Sequence, residues 1–509
     1  MRHRLVWAGL AAVGLILAAA AQGEAVHSEL WGENGEVWRP DSRLPDFSFA
    51  GYRRGEADIP SPPVTHDIRE DFGAVGDGET DDSEAFLRAV EEVEEGVVLI
   101  PEGRYVITEI IDIERPNLVF RGEDRDNTVL YFPEPLNDIR PNWGATTGGR
   151  RTSNYSWSGG FFWVRGSYQR ERLADVTEPA ERGANQVSVS NAGGLSVGQE
   201  VDIRVRDDDD DSLAMHLYSE DPRLSIDNLN SRTRGSLVTR ITAIDGDTIE
   251  FDRPLRFDIR GEWEPGVYRF EPTVTEVGIE NLTFEFPNVP YEGHFTELGA
   301  NAFAMTNAAN CWVRNVRVVH SDSGGFVSGQ FVTVKGIILE SERDQGPQRN
   351  AQGHHGVYYT GHDNVFTDFD FRQRFIHDMS VSANASGNVF SNGQGVDLCF
   401  DHHRRTPNEN LFTNIHAGEA SNVWYSGGGA ELGAHCAARG TFWNIRADNP
   451  INPPGGNFGP WSMNFVGLFT EAESETDPEG RWFETIPPDL LQPQNLHEAQ
   501  LERRLAEED

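Results

Sequence analysis

Histidine, aspartate and arginine crowd one stretch of this chain. Between Gln352 and Tyr425 stand His354, His355, His377-Asp378 and the run Asp401-His402-His403-Arg404-Arg405. His355 and His377 are 22 residues apart, and His377 and His402 are 25 apart. Imidazoles exchange protons near neutral pH, and a guanidinium grips a carboxylate through two parallel N–H bonds. That set suits β-elimination on a uronate polymer, in which the carboxylate is neutralised, the C5 proton is removed and the C4 leaving oxygen is protonated. On this reading His355, His377 or His402 is the base, with His354 in the same group. Arg404 or Lys335 neutralises the acid, and Asp378 and Asp401 orient imidazoles. Arg349, Arg374, His403 and Arg405 are expected to contact substrate, and Tyr358, Tyr359, Trp424 and Tyr425 to stack on sugar rings.

Three other readings use the same residues. Two carboxylates among Asp378, Asp397 and Asp401 would serve a hydrolase. His377, Asp378, Asp401 and His402 would bind Zn²⁺ or Ca²⁺; no metal ligand is assigned, and Ca²⁺ is the cofactor kept in view. Polar stacks with no catalysis would leave a glycan-binding or attachment protein. The run Asp207–Asp211 lacks the alternation of a calcium loop and reads as solvated.

Residues so far apart meet only if the chain coils regularly. The phrases Asn364-Val365-Phe366, Asn388-Val389-Phe390 and Asn410-Leu411-Phe412 recur at steps of 24 and 22 residues. An apolar pair at that period predicts a solenoid whose coils stack. The asparagines are expected to stack at a turn. His377 and Asp401 each follow such an asparagine by 13 residues, and Trp424 follows one by 14, which predicts a single column on one face.

The clearest local signature comes earlier. In DFGAVGDGETDDSEAF…GVVLIPEGRYVI (residues 71–107), Gly76-Asp77-Gly78 marks a turn and Thr80 a helix N-cap, with Asp81, Asp82 and Glu84 in the first turn. Ala85, Phe86, Ala89, Val90 and Val93 form an apolar stripe ended by Gly96, with strands at Val97–Ile100 and Tyr105–Thr108. This phrase resembles the N-terminal opening of the pectate-lyase-like superfamily, which also holds family-28-like glycoside hydrolases and phage depolymerases. The resemblance implies an all-β, right-handed parallel β-helix whose first helix closes the solenoid and is not catalytic. The family-28 phrases Asn-Thr-Asp, Gly-Asp-Asp, Gly-His-Gly and Arg-Ile-Lys are not present in order, and Gly353-His354-His355-Gly356 only partly echoes one of them. The family therefore informs the scaffold, and the site is read from the residues.

The remaining segments divide accordingly. Residues 1–25 read as a signal peptide, 26–66 as an irregular lead-in, and 67–164 as the closing helix and first coils. Residues 165–268 lose the period and read as a β-rich insertion. Residues 269–449 are the main β-helix, and 450–509 a tail with a short helix, whose phrase NLHEAQLERRL resembles tails of secreted bacterial β-helix proteins.

The 509 residues carry a net charge of −39 with Lys335 as the sole lysine. That charge repels nucleic acid and anionic membrane and fits a surface kept hydrated in a salty habitat. A soluble protein, secreted or periplasmic, with a polysaccharide partner is the expectation. Cys311, Cys399 and Cys436 are too few for a disulfide framework; Cys399 and Cys436 either pair or stay as buried thiols.

Overall fold

A computed structural model describes residues 24–508, apart from 147, 430 and 473–479. The leader read at 1–25 lies, up to residue 23, outside these. Parallel strands wind into a β-helix. A seven-strand sheet runs from Ile111–Ile113 through Phe162–Arg165, Asn301–Ala309, Ser323–Gln330, Gly353–Tyr359 and Phe375–Val381 to Phe400–His402. Every pairing in it is parallel. The other faces form one larger sheet, because strands such as Trp312–Val319 and Thr333–Glu340 bend and continue.

The bend has a sequence cause. Asn281, Asn315, Gly336, Asp368, Asn392, Asn414, Asn444 and Gly467 all have φ between 51° and 72°. Only Gly, Asn and Asp enter this region cheaply, and each sits where its coil turns a corner. At another corner Asn364, Asn388 and Asn410 form the stacked ladder expected of them. Each Nδ2 of the first two donates to the next Oδ1 at 2.9 Å. Inside, Phe390, Phe412, Phe442, Phe465 and Phe483 stack with centroids 4.6, 5.3, 5.3 and 4.7 Å apart.

The helix near the N-terminus spans Ser83–Glu92 and drives Phe86 into the solenoid's open end, against Phe120 and Phe162. It starts later than Thr80 and ends before Gly96. Asp77 accepts the N–H groups of Glu79 and Thr80 and the Thr80 hydroxyl, so local side-chain bonds hold these residues out of the helix. Asp82 takes the N-cap position, and its carboxylate turns back to Val75 and Gly76.

Between Tyr168 and Pro272 the chain leaves the solenoid. Its six-strand antiparallel sheet has its own core around Val201, Ile203, Leu237 and Trp263. It docks through Arg253 and Arg256 on buried Asp363, Arg182 on Glu409, and Tyr218 on Leu432 and Ala434. Asp208 and Asp211 in the acidic run bond the backbone around the helix Ser212–Leu217. Outward-facing Val365, Val389, Leu411, Trp443 and Val466 are covered by Trp31, Leu44 and Phe47 of the lead-in and Leu496 of the C-terminal helix Leu496–Glu508. All three cysteines are free and buried, so Cys399 and Cys436 do not pair. Among the described residues no helix is long and apolar enough to cross a membrane.

Candidate active site

On the seven-strand sheet, register fixes which residues share a column. Trp163, Ala304, Phe326, Tyr358, Ser380 and Asp401 are successive partners. Their neighbours Val357, Met379 and Phe400 face the core, so this column faces outward. It is aromatic at Trp163, Phe326 and Tyr358 and polar where it ends.

His355 stands opposite His377. Two residues before Val357 and Met379, both would point inward on a regular strand. Gly356 interrupts the alternation. A Cβ there would lie 2.3 Å from the Phe371 ring and 2.4 Å from the Asp378 carbonyl, so the backbone occupies side-chain space and the strand bends. His355 instead stacks on Tyr358, with centroids 4.9 Å apart and planes 6° apart, and its Nδ1 lies 3.1 Å from Ser380 Oγ.

Asp401 is the hub. It accepts the Ser380 hydroxyl at 2.7 Å, His403 Nδ1 at 2.9 Å and the Gly427 N–H at 2.8 Å, and His377 Nδ1 lies 3.4 Å away. A Cβ on Gly427 would lie 2.2 Å from His403 Cε1, so only glycine lets that loop close on the imidazole. From another loop His294 packs on His354 and His377, with centroids 4.5 and 5.8 Å away, and Phe295 stacks on His294. Tyr425 stacks on His377. Under these covers His354, His355 and His377 are at most 2% exposed, whereas the His403 side chain keeps 27%.

Burial sets the charges. It pushes His377 down to about 3 and His294 down to about 4, and holds His354 and His355 well below their ordinary value. Burial works against ionised Asp401 as well, but His377, His403 and the Gly427 N–H outweigh it and carry its pKa well below the carboxylate range. Burial thus favours the neutral forms of His294, His354, His355 and His377 around the Asp401 carboxylate. Burial raises Tyr358 to about 12 and Glu297 to about 7; Glu297 Oε1 lies 3.5 Å from His354 Nδ1. Glu297 also lines the wall of a cavity of about 500 Å³ with Tyr291, His320, Asp322 and Arg343. That cavity is not lined by His294, His354, His355, His377 or His403.

Several expected residues are elsewhere. His402 follows Asp401 on a regular strand and so faces inward, among Phe412, Phe442 and Phe458, with Nδ1 3.0 Å from the Phe400 carbonyl. The register explains the misplaced column: Met379 pairs with Phe400, so Asp401 aligns with Ser380 and not with His377. Asp378 accepts the N–H groups of Phe375 and Cys399 and pairs with Arg349. Arg349 also bonds the carbonyls of Ile376 and Asp397, so both are fixed in scaffold contacts. Arg404 turns to the Gly433 carbonyl and His435. Lys335 lies on the other sheet beside Asp368. Tyr359 points into the core. Trp424 packs edge-on to Phe442 and Phe465 and bonds the Asn452 carbonyl. Arg374 pairs with Glu419 and Asp397. The cluster gathers His354, His355, His377, Asp401, His403, Tyr358 and Tyr425 from the expected set.

Arg405 is exposed near Tyr358, on whose hydroxyl its charge acts. Arg150, also exposed, donates to the His294 carbonyl at 3.3 Å. Sequence reasoning missed Arg150, His294, Glu297, Ser380 and Gly427. Only His294 offered a signal, as a glycine-preceded histidine in the proline-rich turn 287–294.

Residues 68–134 match the family described as rhamnogalacturonase A/epimerase, pectate lyase-like. The match covers the closing helix and the first coils. No curated protein matches the sequence. Among solved structures, the tailspike gp61 of Pseudomonas phage phi297 is 13% identical, covering 80% of this chain and 67% of its own, with a TM-score of 0.46. The tailspike gp49 of Pseudomonas phage LKA1 is also 13% identical, covering 79% and 67%, at 0.44. The alginate lyase of Paenibacillus sp. str. FPU-7 is 8% identical, covering 80% and 93%, at 0.36.

Proposed function

We propose that the protein is a polysaccharide lyase that cleaves a uronate-containing polymer by β-elimination. The Asp401–His403 pair carries this reading. Asp401 holds Nδ1 of His403, which leaves Nε2 of a partly exposed imidazole free to take a proton. This moves the base from the buried His355, His377 and His402 to His403. Tyr358 stands beside it, with ring centroids 6.0 Å apart, and its raised pKa keeps the hydroxyl protonated as a proton donor for the leaving oxygen. Arg405 and Arg150 are the exposed cations near Tyr358 and His294, placed to meet the polymer's carboxylates in the role expected of Arg404 and Lys335. Trp163 and Tyr358, partly exposed on the outward column and flanking the buried Phe326, offer rings against which an extended glycan can lie.

A two-carboxylate hydrolase finds less support. Asp378 is held by Arg349, and Asp397 accepts the Ser421 N–H and hydroxyl, so neither is free to serve as the second acid. An exported location, as the leader-like residues 1–25 suggest, would bring the site to such polymers. The test is incubation with polygalacturonate, polymannuronate and glucuronate polymers, followed in the near-ultraviolet. Lysis creates an unsaturated uronate that absorbs there. Reducing ends without that absorbance, or cleavage of neutral glucans alone, would overturn the reading.

A further inference from the structure

We propose that His294, His354 and His377 bind a first-row transition-metal dication of the Zn²⁺ class. One nitrogen from each lies within 4.8 Å of the others, so small side-chain shifts bring all three to the separation that Zn–N bonds of about 2.0–2.1 Å require. Two of the three imidazoles also have unspent nitrogens. His354 Nδ1 and both ring nitrogens of His377 are buried without a hydrogen-bond partner. Buried polar atoms are seldom left so, and His354 Nδ1 and one nitrogen of His377, within reach of a nitrogen of His294, ask for a ligand that accepts several lone pairs at once. A proton bound by one imidazole cannot satisfy the others; a dication can.

The surroundings fit. The three imidazoles come from a loop and two adjacent strands. Asp401 Oδ2 lies 3.4 Å from His377 Nδ1, the place of an outer carboxylate that fixes a metal-bound histidine. Glu297 Oε1, which accepts the Tyr291 hydroxyl, stands 3.5 Å from His354 Nδ1, and its buried, unpartnered Oε2 marks a fourth, oxygen position on the same side. Nitrogen donors suit Zn²⁺, Co²⁺ or Ni²⁺ and not Ca²⁺, which takes six to eight oxygens; of the Zn²⁺ and Ca²⁺ alternatives read from the sequence, the cluster fits the first. A second trio, His377, Asp401 and His403, also meets the distance. Its His403 and Asp401 are already bonded to each other, so the unpartnered set is favoured. An ion there would face the rim beside the Asp401–His403 pair and could take a uronate carboxylate. That role rests on the lyase reading; the binding itself does not.

The chelator-stripped full chain is titrated with CoCl₂ and ZnCl₂, following the visible cobalt band and the thermal midpoint. One equivalent should give the intense band of a tetrahedral nitrogen site and raise the midpoint. An outer-shell change alone costs about 10–100-fold in affinity, so His294→Ala and His354→Gln should each weaken binding by more than about 100-fold. His403→Ala and His416→Ala, the latter at a partly exposed site outside the cluster, should leave the band. His294 stands on a loop, so His294→Ala, checked by far-ultraviolet dichroism, serves even if His354→Gln does not fold. No band and no thermal shift in excess metal would overturn the site, as would a band that His294→Ala spares or His403→Ala removes. The readout is a spectrum and not turnover. Cobalt binding without cleavage of any uronate polymer would support the site and count against the lyase. Full cleavage by a chain that binds no cobalt would do the reverse.

Discussion

His402 ends a strand and His403 follows it, with opposite fates. His403 reaches the rim and leans on Asp401, while His402 sits among phenylalanines. Replacing His403 by Ala should lower kcat by about 10²–10⁴-fold with little change in melting, which steady-state assays and calorimetry would read together. His402→Leu should leave kcat per folded molecule intact. It should also hold or raise the melting temperature, because it removes a buried Nε2 that has no partner. Loss of activity in His402→Leu at unchanged fold would count against this assignment. The sequence made the histidine-rich stretch visible, and it placed His355 beside His377. It hid which imidazole faces out, because one bend at Gly356 and a coil of different length reverse the simple alternation.

At the scale of elements, the repeated Asn-apolar-Phe phrase translates directly into a ladder and a stacked phenylalanine core, since both follow from a period and a local turn. The helix boundary was less legible: Asp77 competes for the very N–H groups that a cap at Thr80 would use. The loop that carries His294 has no period at all, and only tertiary packing brings it over His354. The ladder yields a stability prediction. Asn388→Ala removes the acceptor of Asn364 N and Nδ2 and the donor to Gly361 and Asn410. Left unsatisfied in a buried corner, these groups should cost on the order of 3 kcal/mol, measured by urea unfolding. Asn392→Ala, at the partly exposed corner, should cost less.

Across the whole molecule, the insertion is tied to the solenoid by buried charge. Burial alone would raise the Asp363 pKa, but Arg253 and Arg256 overcome it and hold the carboxyl at about 2. A depressed acid stabilises the fold above its ordinary pKa and loses that contribution as pH falls from about 4 toward 2, a difference on the order of 2 kcal/mol. His362, His216 and His497 are each pushed down to about 4 by burial. They favour the fold while neutral, so stability should begin to fall earlier, as pH drops from about 6.5 toward 4. Acid titrations of the melting midpoint should therefore show two stages, and Asp363→Asn should diminish the lower one, to which Asp401 also contributes. The insertion was recognisable from lost periodicity, but its docking was not, because Asp363 and Arg253 are 110 residues apart and nothing local marks them as partners. The account as a whole requires a polymer lying across the sheet with its reacting carbon at His403. A crystal structure of the His403→Ala protein with a bound uronate oligosaccharide measures this most directly. Sugar rings should stack on Trp163 and Tyr358, with one C5 about 3–3.5 Å from where Nε2 of His403 stood. An oligosaccharide seated in the cavity beside His320 and Arg343, or along the insertion, with the Asp401 rim bare, would contradict it.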